Sequence, residues 1–435
     1  MRRPDPTAGV RHLVFIVTAL GVTGVAMGEP KYDLLLRGGH VVDPKSGVSG
    51  VRDVAIAAGR IAAVGPAIDP KDAFKAVDVS GLFVTPGLVD IHVHVYAGTG
   101  EKDSYAGDNS VYPDGFTFRA GVTTVADAGC SGWRNFEDFK QRVIDRSRTR
   151  ILAFLNIVGH GMRGGVFEQD LKDMEAKPTA EMASRHRDVV VGIKTAHYEG
   201  PEWTPVEQAV EAGTLADVPV MVDFGANRSE RPLAELVTRK LRPGDIYTHC
   251  YSGLRGEQDA SGHVNPGLLE GRKRGVFFDV GHGGGSFAWR IAAPAVTEGF
   301  LPDSVSTDLH ISSMNTGMKD MLNVMSKFLA LGLSLEEVVL RSTWNAAREI
   351  KHDELGNLSV GSPADVAVLR LESGEFGFVD SFGGRLASRK RLVAELTLRE
   401  GKIVYDLNGR ARPDWQTLPR DYKSTGDPRW DAYGR

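Results

Sequence analysis

The sequence is poor in cysteine, in net charge and in long apolar runs. Its two cysteines, Cys130 and Cys250, exclude a disulfide framework in a chain of 435 residues. The 52 basic and 56 acidic residues leave a formal net charge of −4, so no overall positive field favours nucleic acid. Hydrophobic residues make up 42% and charged residues 25%. This composition is typical of a globular protein and argues against a disordered or fibrous chain.

The longest apolar run stands at the N-terminus, within residues 1–28. Three arginines precede the uncharged stretch 13–27, and Gly28 follows it. This order is typical of a secretory signal peptide, and the stretch is short for a membrane span of ~20 residues. We therefore expect an exported, periplasmic protein with no stable membrane insertion after signal cleavage. An uncleaved membrane anchor is the alternative.

Eight short apolar runs recur in the middle of the chain, each followed by a stretch compatible with a helix. They are residues 88–95, 122–128, 151–158, 189–194, 218–224, 245–250, 276–280 and 304–308. Nearly continuous apolar strands that alternate with helices indicate a parallel sheet covered by helices. Eight such units in about 260 residues match an α/β fold of the (β/α)8 TIM-barrel type. We expect this barrel over residues 85–350.

Two β-rich segments flank the predicted barrel, residues 29–84 and 351–435. Both consist of short β-type runs separated by glycine, proline and aspartate turn signals. Neither flank has enough strands to close a core of its own. We therefore predict a small β-sandwich domain built from both flanks, with a surface tail after about Arg410.

The first barrel run contains two histidines in the order Asp90-Ile-His92-Val-His94. Residues two apart on a strand face the same side, and active sites of barrel enzymes lie at the C-terminal ends of the strands. Two neutral imidazoles at that position favour a divalent metal.

Three further runs end in residues that could complete a metal site. Lys194 ends a run in which a bare ammonium would be costly to bury, so its amine either reaches solvent or takes up carbon dioxide as a carbamate ligand. His249 can be a ligand. Asp308 can coordinate the metal and hold or deprotonate an activated water, or it can cap the following helix.

Together these features resemble the amidohydrolase superfamily of metal-dependent hydrolases, from Tyr32 to about Tyr405. Within it the chain is similar to the amidohydrolase/deacetylase branch, often called dihydroorotase-like. The features that carry the resemblance are TPGLVDIHVH at 85–94, Lys194, His249, Asp308 and GSPADVAVL at 361–369. The resemblance implies a hydrolase in which a metal-activated hydroxide attacks the amide or ester carbonyl of a small N-acyl or O-acyl compound.

The resemblance also implies roles for single residues. His92 and His94 would bind one metal, and carboxylated Lys194 would bridge it to a second metal. That second metal would be held by His249 and a histidine at the end of strand five, and Asp308 would be the catalytic base. We expect one or two divalent ions per chain, with zinc favoured.

One position departs from this pattern, because strand five ends in Asp223 where the family has histidine. Asp223 could replace the ligand, the second metal could be absent, or His197 or His160 could fill the gap. The alternatives for the whole chain are a dihydroorotase-like cyclic amidase and a catalytically inactive, exported binding barrel.

Loops after strands three, four and seven carry polar residues that we predict to contact the substrate. Arg163 can pair with a carboxylate, and the others can polarise a carbonyl. The predicted substrate contacts are Arg163, His197, Tyr198 and His282. For each of them the alternative is loop packing. The expected partner is a small molecule, and a homo-oligomer is left open.

Overall fold

The computed structural model describes residues 30–422, so the predicted signal at 1–28 and the end of the predicted tail lie outside the described residues. The strands are β1 (Tyr32–Asp43), β2 (Val48–Ala57), β3 (Arg60–Gly65), β4 (Ala73–Asp78), β5 (Phe83–Pro86), β6 (Leu88–Val93), β7 (Val122–Gly132), β8 (Arg150–Asn156), β9 (Val190–Thr195), β10 (Val220–Val222), β11 (Ile246–Tyr247), β12 (Phe277–Phe278), β13 (Val366–Val379), β14 (Arg385–Arg399) and β15 (Lys402–Asp406). The helices are α1 (Phe136–Arg142), α2 (Ala176–Arg185), α3 (Thr204–Ala216), α4 (Leu233–Glu235), α5 (Pro266–Lys273), α6 (Trp289–Thr297), α7 (Ile311–Asn315), α8 (Met321–Ala330), α9 (Leu335–Ser342) and α10 (Trp344–Glu349).

Strands from both flanks share one hydrogen-bonded sheet. Its order is β15-β14-β13-β5-β1-β2-β3, and β4 pairs with β1. The link between the flanks is the antiparallel pair of β5 and β13, with Val84 opposite Val368. Apolar side chains of both flanks pack in one cluster, which includes Leu36, Val54 and Leu396. This pairing does not by itself make two packed layers, so the β-sandwich stays a prediction.

The middle of the chain forms a curled parallel sheet in the order β6 to β12. The strands are almost entirely buried. Helices cover the outer face of the sheet, and the inner face is enclosed because the sheet curls. The segment predicted as an eighth strand makes only isolated bridges, Asp279 with Ser304 and Val93 with Leu309. These bridges connect the two edges of the sheet, so this α/β fold closes through a segment that is not itself a regular strand.

One end of the barrel interior is filled by apolar side chains and by α10. Ala346 and Ala347 of this helix pack with Val89, Ile91 and other inward-facing residues of the strands. The opposite end, where the parallel strands finish, carries the polar residues. Among the described residues, no helix is both long enough and apolar enough to cross a bilayer.

Candidate metal centre

The six predicted ligand residues lie at the C-terminal ends of the barrel strands or directly after them. They are His92 on β6, His94 directly after β6, Lys194 on β9, Asp223 after β10, His249 after β11, and Asp308 in the closing segment. All six are buried. Parallel strands end at the same edge of the sheet, which brings together residues that are far apart in the sequence.

The polar atoms of these side chains lie within a few ångströms of their neighbours in the site. His94 Nε2 lies 2.9 Å and His92 Nε2 lies 3.7 Å from Oδ1 of Asp308. Lys194 Nζ is 3.2 Å from His92 Nε2, and His249 Nε2 is 3.4 Å from Oδ2 of Asp223. Ligand atoms of His92, His249 and Asp308 lie within 4.8 Å of one another, an arrangement that can hold a metal ion.

The backbone at this edge adopts conformations that the site requires. The backbone φ angles of His249 and Asp308 are 64° and 53°, values that residues other than glycine rarely adopt. Gly281, at φ 45°, lies against the ligands, and a Cβ there would come within 2.8 Å of His249 Nδ1 and 3.0 Å of His92 Nδ1. Such conformations cost about 1–3 kcal/mol each and cluster at functional sites.

The donor atoms fit a bound cation. His249 Nδ1 lies 2.5 Å from the carbonyl oxygen of Gly281, and a carbonyl can only accept, so this nitrogen carries the proton. His249 Nε2 lies 3.4 Å from Oδ2 of Asp223, and in the tautomer with one proton on Nδ1 this nitrogen and the carboxylate are both acceptors. Oδ1 of Asp308 is also buried, and His94 Nε2, 2.9 Å away, does not meet hydrogen-bond geometry with it. A divalent cation would satisfy these acceptors together.

The electrostatics favour neutral imidazoles and an ionised Asp308. Burial lowers the pKa of His92 to about 4 and that of His94 to about 3, so both rings are neutral near pH 7. Burial alone would raise the pKa of Asp308, but His310, His92 and His94 hold it well below its ordinary value. Neutral nitrogens beside a carboxylate are the ligand state that a divalent metal requires.

Lys194 is fully buried, and burial lowers the pKa of its amine. Its Nζ contacts His92 Nε2 and, at 3.7 Å, Sδ of Met221. The glycine at 129 makes room for the side chain, because a Cβ there would come within 2.7 Å of Lys194 Cγ. A poorly solvated, neutral amine is the form that could react with carbon dioxide.

Asp223 faces two cationic groups in addition to His249. Its Oδ1 accepts a hydrogen bond of 2.6 Å from Nη2 of Arg255, and its Oδ2 lies 3.3 Å from His197 Nε2. Burial would lower the pKa of His197, but Asp223 and Glu168 raise it to about 10. Asp223 therefore sits in a charge-balanced cluster whether or not it binds metal.

His160 was the other histidine that could have supplied the missing ligand of strand five. Its ring packs against Phe167, with the ring centroids 5.4 Å apart.

A second group of potential ligands surrounds the far side of His94. Ligand atoms of His94, Asp127 and Cys130 lie within 4.8 Å of one another. The Asp127 oxygens already accept hydrogen bonds from the backbone N–H groups of Val95 and Cys130. Cys130 Sγ is 3.1 Å from His94 Nδ1. This group is best read as packing that orients the His94 ring.

The predicted substrate contacts occupy different environments. Arg163 pairs with Glu101, Nη2 to Oε1, at 2.6 Å, and Tyr198 donates to Glu202. His197 is partly exposed, with Nδ1 2.9 Å from Glu168 Oε1. Their role in substrate binding stays a prediction.

His282, on the loop after strand seven, is fully buried. Its Nε2 is 2.6 Å from Nζ of Lys327, its Nδ1 faces the Gly283 carbonyl, and its ring stacks on Phe287. The geometry therefore favours the packing alternative for His282 over a substrate contact.

The motifs described above do not include Arg255, Thr248 or Asp279, which the fold places around the ligands. Asp279 offered a signal, because it is a carboxylate inside the apolar run 276–280. Thr248 directly precedes His249, which offered a weaker one. Arg255 lies in a loop with no recognisable pattern.

Comparison with known proteins gives consistent relatives, although no family model matches the chain. A deacetylase of Agrobacterium fabrum is 36% identical over 343 residues, covering 77% of this chain and 81% of the relative. A deacetylase of Brucella anthropi is 35% identical over 334 residues, covering 75% and 80%.

Solved structures give the same picture. A crystal structure named as an adenine deaminase matches with a TM-score of 0.78 and 28% identity, over 86% of this chain and all of that one. A crystal structure named as a dihydroorotase matches with a TM-score of 0.75 and 32% identity, over 86% and 99% of the two chains.

Proposed function

Because this chain belongs to the deacetylase branch of the amidohydrolase superfamily, a group of metal-dependent hydrolases, we propose that it cleaves the acyl bond of a small N-acyl or O-acyl compound. The observation that carries the proposal is the convergence of His92, His249 and Asp308, with their ligand atoms within 4.8 Å. Relatives named deacetylases favour removal of an acetyl group from an amide or ester.

His92, His94, His249 and Asp308 would hold the metal, with Lys194 beside them. A divalent ion bound there would polarise the scissile carbonyl and lower the pKa of water toward ~7. We further propose zinc as this ion and a carbamate on Lys194, which would turn the buried amine into an anionic ligand. Asp223 would join a second ion only if its contact with Arg255 allows it.

Asp308 is the proton acceptor in this proposal. Its Oδ1 is buried, ionised and free of hydrogen-bond donors that meet normal geometry, so it can accept a proton from the attacking water. The same oxygen can return that proton to the leaving nitrogen or oxygen. The buried setting of the surrounding residues keeps bulk water away from this transfer.

The test is hydrolysis of acetyl esters and N-acetyl amino acids by the purified protein, with and without zinc and with chelator. We expect turnover that depends on added metal and stops with chelator. Dihydroorotate belongs in the same screen, because a structural neighbour is named as a dihydroorotase. Metal-dependent opening of dihydroorotate alone would favour the cyclic amidase, and no turnover despite bound metal would favour a binding protein.

Elemental mass spectrometry of the full chain gives the number of metal ions. About two equivalents would support a carbamate-bridged pair with Asp223 as a ligand, and about one would support a mononuclear site. We also propose that residues 1–28 are a signal for export. The N-terminal sequence of protein recovered from the periplasmic fraction tests this, because a cleaved signal would be missing from it. Light scattering of the purified protein tests whether the chain forms a homo-oligomer, which the sequence leaves open.

A further inference from the structure

A chain of buried hydrogen bonds runs from His92 into the barrel interior. His92 Nδ1 is 2.9 Å from Oγ1 of Thr248, which is 2.7 Å from Oδ2 of Asp279. Asp279 Oδ1 is 2.8 Å from Oγ of Ser304, which is 2.8 Å from Oε2 of Glu349 on α10. All five residues are buried, so water does not compete for these contacts.

The number of protons available along this series of hydrogen bonds fixes which atom donates in each of them. The Ser304 hydroxyl has one proton but contacts two carboxyl groups, so one of these carboxyls must be protonated. Burial raises the pKa of Glu349 well above its ordinary value, and Oε1 of Glu349 has no hydrogen-bond partner, as expected for a neutral acid. Glu349 therefore donates to Ser304, and Ser304 donates to Asp279.

Asp279 is then an ionised acceptor. Its Oδ2 also lies 2.7 Å from Oγ of Ser306, whose oxygen already accepts from the Gly281 N–H. With two hydroxyls directed at the same oxygen, Thr248 uses its only proton on Asp279. Its oxygen is left to accept from His92.

We propose that Asp279 is a positioning residue that acts through the Thr248 hydroxyl to keep the proton of His92 on Nδ1. The Nε2 lone pair then points to the metal centre beside Asp308. The Nδ1 of His92 is 3.7 Å from Oδ2 of Asp279, too far for a direct hydrogen bond, so Thr248 is the necessary link. The inference rests on the proposed function only in treating His92 as a metal ligand.

The test compares Thr248→Val, which removes the hydroxyl at nearly constant shape, with Thr248→Ser, which keeps it. Partners that orient a ligating histidine typically change metal affinity about 10–100-fold. We expect Thr248→Val to weaken zinc binding by that factor in chelator competition, and Thr248→Ser to bind within about threefold of the wild type. Asp279→Leu should behave like Thr248→Val, because the freed hydroxyl proton of Thr248 would turn to His92 Nδ1.

Thr397→Val is the matched control. Thr397 is a buried threonine on β14 that donates to the Phe118 carbonyl, away from the strand ends that carry the ligands. We expect it to keep wild-type zinc affinity. An equal loss of zinc affinity in Thr397→Val would show that removing any buried threonine hydroxyl lowers the affinity by disturbing the fold. The proposal would then be wrong.

A second readout does not need metal. Ring-nitrogen spectra of metal-free protein labelled with ¹⁵N-histidine report the tautomer, and loss of a signal in His92→Gln identifies His92. We expect the Nδ1–H form in the wild type and a shift toward Nε2–H in Asp279→Leu. A wild-type His92 protonated on Nε2, or wild-type affinity in Thr248→Val, would overturn the inference. Absence of zinc binding by the wild type with the expected tautomer would instead count against the proposed function.

Discussion

Oδ1 of Asp223 lies 2.6 Å from Nη2 of Arg255, and these side chains are only 4% and 8% exposed. The family resemblance predicts a histidine ligand at the position of Asp223. A carboxylate at this buried position brings a negative charge that an imidazole would not. Arg255 supplies a compensating positive charge through this contact.

Removal of Arg255 should therefore destabilise the protein. Breaking a buried ion pair from one side typically costs about 3–5 kcal/mol when the remaining charge has no other partner, but His197 Nε2 stays 3.3 Å from Oδ2 of Asp223. We therefore expect Arg255→Met to lower the stability of the metal-free protein by less, about 1.5–3 kcal/mol in urea unfolding, the range for a hydrogen bond to a charged group. Arg389→Met is the control, since Arg389 pairs with Glu375 on the surface. Equal stability of both variants would contradict this account.

Asp308→Asn should remove catalysis without unfolding the protein. The amide keeps the shape of the side chain but cannot accept a proton from water. Loss of a general base typically costs about 10²–10⁴-fold in rate, and we expect kcat to fall by at least that factor. Metal content measured on the same sample separates loss of the base from loss of the ion. Near wild-type turnover with metal bound would show that Asp308 is not the base.

Gly281→Ala should damage the metal centre directly. A Cβ at this position would come within 2.3 Å of Thr248 Oγ1 as well as crowding both neighbouring histidines. We expect zinc affinity to fall by more than about tenfold, because ligand geometry tolerates little displacement. Gly285→Ala is a matched control on the same loop, where a Cβ meets nothing within 4 Å. Similar affinities for the two alanine variants would count against the crowding argument.

Glu349→Gln should change how stability depends on pH. The pKa of Glu349 is raised in the folded protein, so between its unfolded value and its folded value the unfolded chain releases a proton that the folded chain keeps. This group therefore lowers stability progressively as the pH rises above about 4.5. We expect the glutamine variant to gain stability relative to the wild type between pH 5 and 8, in urea unfolding with chelator present. A difference that stays constant with pH would mean that Glu349 is ionised in the fold.

Local patterns in the sequence determined the ligand residues on single strands. His92 on β6 and His94 directly after it are two residues apart, and alternation along an extended segment puts both on one side without reference to the rest of the chain. Apolar runs marked the strands for the same reason, since burial on both faces leaves a nearly continuous apolar signature. The family resemblance carried by these motifs agrees with the relatives found by comparison.

Only the tertiary structure decided which residues surround those ligands. His92 and Thr248 are 156 positions apart, and Asp223 and Arg255 are 32 apart, yet both pairs are in hydrogen-bond contact. Neighbours at the edge of the barrel are set by the order of the strands in the closed sheet, which no local pattern encodes. His282 shows the same limit, because Lys327, 45 positions away on α8, holds it in buried packing. The sequence could name the ligands because strand alternation is local, whereas the contacts that orient them exist only once the barrel has closed.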